Sequence, residues 1–200
     1  MPKVVLAGVA TLALLAAAPA QADDLFSYVR LGQAFVFDAN PRPAPGIGFG
    51  VRAALDSVAI DASFLNLVVG SHPVDLDRDM TAGSLLKLEV LRYLTPQMSR
   101  SVYVGGGMSW GLLSAGRADP PGGGTTGWHG RGLQAELTAG YELARSSPLR
   151  VFVQADASAP LFFAGSQTFD YSRSTGVVQT GADSRYFPSI VLSLGVGWQR

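Results

Sequence analysis

The residues best suited to chemistry are charged side chains that recur at alternate positions of otherwise apolar segments. Lys87 and Glu89 are two residues apart, and Arg52 and Asp61 flank a two-residue turn, Asp56-Ser57. Charges that share a narrow, poorly hydrated space are costly unless they are paired, so we expect a network of ion pairs. Its predicted members are Arg30, Arg52, Asp61, Lys87, Glu89, Glu136, Glu142, Arg150 and Asp156.

The histidines do not indicate a catalytic site. His72 and His129 lie in segments predicted as loops, and no spacing ties a serine or threonine nucleophile to His129. The neighbouring hydroxyl residues of that loop are Ser114, Thr125 and Thr126. We therefore predict that the protein is not an enzyme.

Metal and cofactor sites are not indicated either. The acidic run Asp75, Asp77 and Asp79 lacks the central glycine and terminal glutamate of a calcium-binding loop. The three glycines at 122–124 precede no helix, so they are not a phosphate-binding loop. Since the chain contains no cysteine, thiolate ligands are excluded. We predict no metal and no cofactor.

The positions of the charges follow from long alternating strands, of which 132–143 is the clearest. Its sequence, GLQAELTAGYEL, puts leucine, alanine and tyrosine at one parity and glycine, glutamine, glutamate and threonine at the other. Successive side chains of a strand point to opposite faces, so this strand separates an apolar medium from a polar one. The same pattern predicts eight strands, at about 26–37, 46–55, 58–68, 81–94, 101–113, 132–143, 149–161 and 185–199.

Strand and loop lengths favour a barrel that crosses a membrane. A tilted strand needs about 9–11 residues to cross a bilayer, and most of the predicted strands are this long. Short turns alternate with long loops at 38–45, 69–80, 114–130 and 162–184, as in outer-membrane barrels. The predicted fold class is therefore all-β, an eight-stranded antiparallel up-and-down transmembrane β-barrel. Its apolar parity would face lipid, and its polar, glycine-rich parity would line the lumen.

Turn lengths predict which charges face one another. The two-residue turn at Asp56-Ser57 sets Leu55 opposite Val58 and Arg52 opposite Asp61. The turn after strand 132–143 sets Glu142 opposite Arg150 and, in the same register, Glu136 opposite Asp156. Two facing carboxylates require a cation from elsewhere in the lumen, or one of them must be protonated. The candidate cations are Arg30 and Lys87.

The N-terminal segment has the features of a secretory signal. Lys3 precedes an apolar run at 4–18, and Ala20-Gln21-Ala22 is a small-x-small cleavage motif. This run is shorter than the ~20 residues of a membrane-spanning helix. We therefore predict a cleavable signal peptide at 1–22 and a barrel domain at 23–200. A formal net charge of +0 does not suggest a nucleic-acid partner.

The segments LKLEVLRYLTP, SVYVGGGMSWG and GLQAELTAGYEL resemble strands of the small OmpA/OmpX-like outer-membrane barrels. The resemblance covers nearly the whole mature chain. It implies a location in the cell outer membrane, contact with lipid and lipopolysaccharide, and assembly by the barrel-insertion machinery. Members of the family usually end in a lipid-facing aromatic that this machinery reads. Here Trp198 has the right parity but is followed by Gln199-Arg200.

Aromatic residues near the predicted strand ends suit the two membrane interfaces. Tyr141 and Trp198 are expected near the rim with the short turns. The aromatics expected towards the long-loop rim are Phe35, Phe37, Phe49 and Trp110.

These patterns together predict a barrel with an occluded polar lumen and a structural or surface-interaction role. Partner contact is expected through loops 114–130 and 162–184, because loops carry adaptable surface. Three alternatives remain open: a narrow pore for small solutes, a lipid A-modifying barrel enzyme, and a soluble periplasmic lipocalin-like binder.

Overall fold

A computed structural model describes residues 24–37, 42–67, 80–118, 125–170 and 177–199. The predicted signal peptide, His72 and the aspartates at 75, 77 and 79 lie outside these ranges. Among the described residues, no helix is long and apolar enough to span a membrane. The strands are β1 (Asp24–Val36), β2 (Arg42–Leu55), β3 (Val58–Leu67), β4 (Met80–Tyr93), β5 (Ser101–Ala118), β6 (Thr125–Leu143), β7 (Leu149–Pro160), β8 (Ala164–Asp170), β9 (Val177–Arg185) and β10 (Ser189–Gln199).

Eight of these strands close into an antiparallel barrel. Strands β1 to β7 pair in chain order, β7 pairs with β10, and β10 pairs with β1. The predicted eight-stranded up-and-down barrel is therefore confirmed. The remaining strands, β8 and β9, form a hairpin that pairs with the first residues of β6.

The register determines how steeply the strands tilt. A path through directly paired residues leaves β1 at Leu25 and returns to β1 at Phe35, ten residues further along. The intermediate residues are Ala53, Ile60, Val90, Gly106, Leu137, Ala157 and Ile190. This displacement around eight strands corresponds to a tilt of about 40° and a radius of about 8 Å. So narrow a barrel is filled by its own side chains.

The strands extend further beyond the long-loop rim than the sequence predicts. β5 and β6 remain paired up to Ala118 and Thr125, so most of predicted loop 114–130 is a two-stranded ladder. Predicted loop 162–184 likewise contains β8 and β9. Outside the membrane no lipid face imposes an apolar parity, so the alternation ends while the backbone hydrogen bonding continues.

β2 begins at Arg42, although its prolines predict a loop as far as residue 45. Pro43 and Pro45 lie opposite Phe35 and Gln33 of β1. The last described pair between β2 and β3 joins Gly46 to Leu67, so both prolines lie where β2 has a described partner on one side. Proline is tolerated in such an edge segment because its missing N–H removes no ladder hydrogen bond there.

Burial follows the parity of each strand. The outward residues are apolar, with Leu31, Phe49 and Leu137 between 61% and 71% exposed. Inward residues are buried, including all nine members of the predicted charged set. A soluble ligand-binding barrel has the opposite arrangement, so the lipocalin-like alternative is wrong.

Apolar and aromatic residues share the lumen with the charged side chains. Towards the long-loop rim lies a buried cluster of Ala34, Ala44, Leu65, Leu67, Leu85 and Val191. Two further clusters lie towards the short-turn rim. They consist of Ala54, Ala59, Leu91, Tyr93 and Tyr103 and of Phe26, Tyr28 and Phe152.

Candidate functional site: the charged lumen

Arg52 of β2 is the centre of a charged group near the short-turn rim. Its Nε donates to Asp61 Oδ2 at 2.7 Å, Nη1 to Glu142 Oε2 at 3.1 Å, and Nη2 to Gln154 Oε1 at 3.1 Å. The side chains of Arg52, Asp61 and Glu142 have no solvent exposure. Each donor nitrogen of the guanidinium is therefore paired, as burial of a charge requires.

Aromatic side chains surround the same guanidinium. The rings of Tyr103, Phe152, Phe26 and Tyr28 have centroids 4.7, 5.1, 5.4 and 5.7 Å from Arg52 Cζ. These distances lie within the range of cation–π attraction. Arg52 is thus held by carboxylates in the plane of its hydrogen bonds and by rings around it.

Two tyrosines connect this group to other strands. Tyr28 Oη donates to Asp61 Oδ1 at 2.7 Å, and Tyr93 Oη donates to Glu142 Oε2 at 2.6 Å. A third, Tyr103, donates its Oη hydrogen to Gln154 Oε1 at 2.8 Å. The Arg52 group therefore joins β1, β2, β3, β4, β5, β6 and β7.

The register explains which predicted pairs form. Arg52 lies opposite Asp61, and Leu55 lies opposite Val58, as the two-residue turn predicts. The prediction for β6 and β7 is wrong, since Glu142 lies opposite Phe152. The two strands first pair at Leu143 and Val151, so the connection is wider than the turn assumed from the sequence. Arg150 Nη1 still reaches Glu142 Oε1, at 3.3 Å along the diagonal.

Lys87 of β4 is the centre of a second group, closer to the long-loop rim. Its Nζ lies 3.0 Å from Asp156 Oδ1, 3.3 Å from Glu89 Oε1 and 3.4 Å from Glu136 Oε2. Arg30 reaches the same group from β1, with Nη1 2.9 Å from Asp156 Oδ2. Both candidate cations therefore contact Asp156 across the lumen.

The direct facing of Glu136 and Asp156 is also wrong. Glu136 lies opposite Ser158, and Asp156 lies opposite Thr138. The observed register therefore differs from the predicted one by two residues, as it does at Glu142, which pairs with Phe152 and not with Arg150. A shift of two residues leaves every side chain on its predicted face, so parity could not detect it.

Hydroxyl and amide side chains that the sequence interpretation missed complete the network. Ser109 Oγ and Ser158 Oγ donate to the two oxygens of Glu136. Thr138 Oγ1 lies between Glu89 Oε1 and Asp156 Oδ1. Gln154 Nε2 donates to Asp156 Oδ1 at 2.7 Å, which joins the second group to the Arg52 group. Their only sequence signal is an inward parity shared with the charges.

Inward glycines make room for the rings near the short-turn rim. A Cβ atom at Gly195 would overlap the ring of Phe152, and one at Gly140 would overlap the ring of Tyr103. Each ring lies across the glycine that faces it on the neighbouring strand. In the short-turn half of the lumen, large aromatic side chains are therefore paired with glycines on the neighbouring strands.

The predicted interface aromatics all lie on outward-facing positions, at different levels. Tyr141 pairs with Val102 and Val153, and Trp198 pairs with Ser27 and Leu149, both towards the short-turn rim. Towards the long-loop rim lie Phe35, Phe37 and Trp110. Phe49 lies lower than predicted, because it pairs with Val29 and Phe64 in the middle of β1 and β3.

Ser114 and His129 form a contact that the sequence did not predict. Ser114 Oγ lies 2.9 Å from His129 Nδ1, and the two residues face each other across β5 and β6. Their parity directs them outward, above the apolar belt. Among the described residues, no carboxylate contacts this histidine to orient it as a catalytic base.

No family model matches the sequence, and no curated protein matches it. Solved structures do match the fold. Neisserial surface protein A has a TM-score of 0.59 at 11% identity, covering 87% of this chain and 96% of its own. Ail of Yersinia pestis has a TM-score of 0.57 at 9% identity, and the match covers 88% of this chain and 98% of Ail. A major outer membrane protein from Thermus thermophilus has a TM-score of 0.57 at 13% identity, and the match covers 88% of this chain and 99% of that protein.

The fold is that of the small outer-membrane barrels. A closed barrel with apolar side chains outside and paired charges inside is stable only with lipid around it. The chain is therefore an integral protein of the outer membrane.

Proposed function

We propose that this protein is a surface-interaction barrel, in which a filled barrel anchors a protruding sheet that contacts a partner. The observation that carries the proposal is the ladder of β5, β6, β8 and β9, which continues beyond the barrel with β9 as its outer strand. An outer strand has unpaired N–H and C=O groups that can pair with an extended segment of another protein. The predicted contact segments, 114–130 and 162–184, contain the protruding ends of β5 and β6, all of β8 and all of β9 except Arg185.

Packing at the mouth of the barrel supports a rigid platform. Trp128 of β6 is buried against Val36, Ala164 and Phe187. Its Nε1 donates to Asp183 Oδ2 of β9 at 3.3 Å. The hairpin of β8 and β9 is thereby attached to the barrel wall. Because it is already ordered, it loses less conformational entropy when a partner binds.

The lumen is consistent with an anchor. Four cations and five carboxylates of the predicted set are buried inside it, and each of these cations contacts a carboxylate. In our proposal this network closes the barrel and stiffens it, and the outward aromatics position it between the two interfaces. Trp198, outward near the end of β10, would serve as the signal for the insertion machinery.

One protein of similar fold supports the surface role. Ail is the attachment invasion locus protein of Yersinia pestis, and its structure was also solved with the heparin analogue sucrose octasulfate. The latter structure has a TM-score of 0.55 at 12% identity. A barrel of this fold can therefore serve attachment at a cell surface, which is the function proposed here.

The test is adhesion of a non-adherent bacterial host that displays the protein. Cells with the wild-type protein should be retained on epithelial layers several-fold above cells without it. Val178→Pro and Gln179→Pro then probe the β9 edge, because adjacent residues direct their N–H groups to opposite sides. Of these two substitutions, the one that removes the N–H group pointing away from β8 should abolish retention of the cells on the epithelial layer. It should leave the heat-dependent gel shift of the folded barrel unchanged.

Equal retention with and without the wild-type protein would refute the surface role. Full retention by both proline variants would instead exclude β9 as the contact edge.

A further inference from the structure

The outer face changes from apolar to polar within a single row of paired residues. Phe64, Leu86, Trp110 and Leu133 form one continuous row across β3, β4, β5 and β6. The next outward row towards the long-loop rim is Asn66, Ser84, Leu112 and Arg131. Above it, Ser114 lies opposite His129. The outward face on this side of the barrel therefore becomes mostly polar above the first row, with Leu112 as the apolar exception.

This polar surface is lower than the apolar limit on the other side of the barrel. There the exposed rings of Phe163 and Tyr186 pack together, with centroids 5.7 Å apart. After correction for the strand tilt, Asn66 lies roughly 10 Å nearer the short-turn rim than Tyr186 does. The polar side chains of β3 and β4 are thus directed outward at a level where the opposite wall is still apolar.

A cavity of about 490 Å³ lies at the same place. Its polar lining residues are Asn66, Ser84, Ser114, His129 and Arg131, and Leu112 is the outward apolar residue among them. Ser84 Oγ donates to Asn66 Oδ1 at 2.9 Å, and Ser114 Oγ contacts His129 Nδ1 at 2.9 Å. The exposed guanidinium of Arg131, the amide nitrogen of Asn66 and His129 Nε2 are left to face a ligand.

We propose that this notch binds the phosphorylated headgroup of a lipid in the outer leaflet of the membrane. Polar groups at the depth of Asn66 and Ser84 require a polar partner, which the headgroup of a neighbouring lipid can supply. The same tilt correction places Arg131 higher, roughly level with Tyr186, where it can meet the phosphate of that headgroup. The charge is complementary, because Arg131 is a cation and no carboxylate lines the described part of the cavity. The acyl chains would descend beside Trp110 and Leu133, which are 40% and 48% exposed.

The site does not involve the β9 edge, so the lipid-binding proposal can be tested independently of the adhesion role. The proposed occupant is a phosphoglycolipid of the outer leaflet. A free carbohydrate and a second copy of the chain are the competing occupants that the experiment must exclude.

The test is native mass spectrometry of the detergent-solubilised mature protein with purified lipid A as the probe. One lipid A should remain bound to the wild-type protein. Arg131→Ala should weaken binding about tenfold, the worth of one charge-assisted hydrogen bond. Arg131→Lys should retain part of it. Arg100→Ala removes an exposed arginine from the opposite rim and is the matched control, with no expected change.

A second arm measures binding of dephosphorylated lipid A to the wild-type protein. This binding should be no stronger than that of intact lipid A to the Arg131→Ala variant. Equal binding of the two lipids, or equal loss with Arg131→Ala and Arg100→Ala, would overturn the proposal. So would displacement of the lipid by soluble sugar phosphate, or a dimer that forms in place of the lipid complex.

Discussion

Arg52 Nε and Asp61 Oδ2 lie 2.7 Å apart on paired positions of β2 and β3, and both side chains are fully buried. Replacing Arg52 by Ala would leave the carboxylates of Asp61 and Glu142 without their shared cation. Loss of one partner of a buried ion pair costs about 3–5 kcal/mol. We expect a lower temperature for the heat-dependent gel shift and a lower urea midpoint in detergent.

Arg145→Ala is the comparison for this experiment. Arg145 Nε is 3.9 Å from Glu142 Oε1 at the rim of the same group, and its side chain is partly exposed. Its removal should cost less than half as much as removal of Arg52. Equal effects would mean that the buried position of Arg52 is unimportant.

Lys87→Met should destabilise the barrel in a manner that depends on pH. The substitution leaves Glu89, Glu136 and Asp156 close together with Arg30 as the nearby cation. Their mutual repulsion is present when they are ionised and is relieved as the pH falls and carboxyls take up protons. The difference in unfolding free energy from the wild type should therefore be largest at pH 8 and shrink towards pH 4.

Urea titrations followed by tryptophan fluorescence measure this difference. Lys87→Arg keeps the charge and should lose less stability at pH 8 than Lys87→Met. A gap between wild type and Lys87→Met that does not change with pH would show that repulsion among the carboxylates is not its cause.

The alternation in 132–143 was sufficient to predict the faces of β6 because lipid and lumen impose a strict period of two. Beyond the membrane that constraint ends, so the sequence contains no comparable signal for Thr125–Arg131 or for β8 and β9. Those segments are strands because a neighbouring backbone continues their ladder. Pro43 and Pro45 wrongly predicted a loop for a related reason. In this segment β2 has a described partner on one side, where proline is tolerated.

Register was predictable where the turn allowed a single solution. Asp56, with φ of 53°, adopts the left-handed conformation of a two-residue turn, and Arg52 then has to face Asp61. The connection between Leu143 and Val151 is longer, and it contains Ala144 at φ of 57°. Registers that differ by two residues keep the same faces, so the facing of Glu142 depended on turn geometry. The contacts of Lys87 required the closed barrel itself.

Gly195→Ala should destabilise the barrel through a purely steric clash with Phe152. The added Cβ would overlap Phe152 Cζ, so the ring or the backbone must move. Overpacking of this kind costs about 1–3 kcal/mol. Phe152→Leu in the same chain should recover part of the loss, which a double-mutant cycle of gel-shift midpoints would measure.

Gly165→Ala is the matched control, because a Cβ there would have no atom within 4 Å. It should leave the midpoint unchanged. If Gly165→Ala and Gly195→Ala were equally destabilising, overlap with the Phe152 ring would not be the cause of the loss.

The filled lumen predicts that the folded protein does not conduct. Arg52 and its surrounding rings fill the short-turn half, and Leu65, Leu85 and Val191 are buried in the half nearer the long loops. An ion would have to displace paired charges and then pass an apolar layer, and each step removes hydration without replacing it. Planar-bilayer recordings of refolded protein should therefore remain at baseline under conditions in which a general porin gives clear steps. Steady ohmic steps that disappear with a bulky substitution such as Val191→Trp would establish the narrow-pore alternative, because only a continuous path through the lumen would respond to that change.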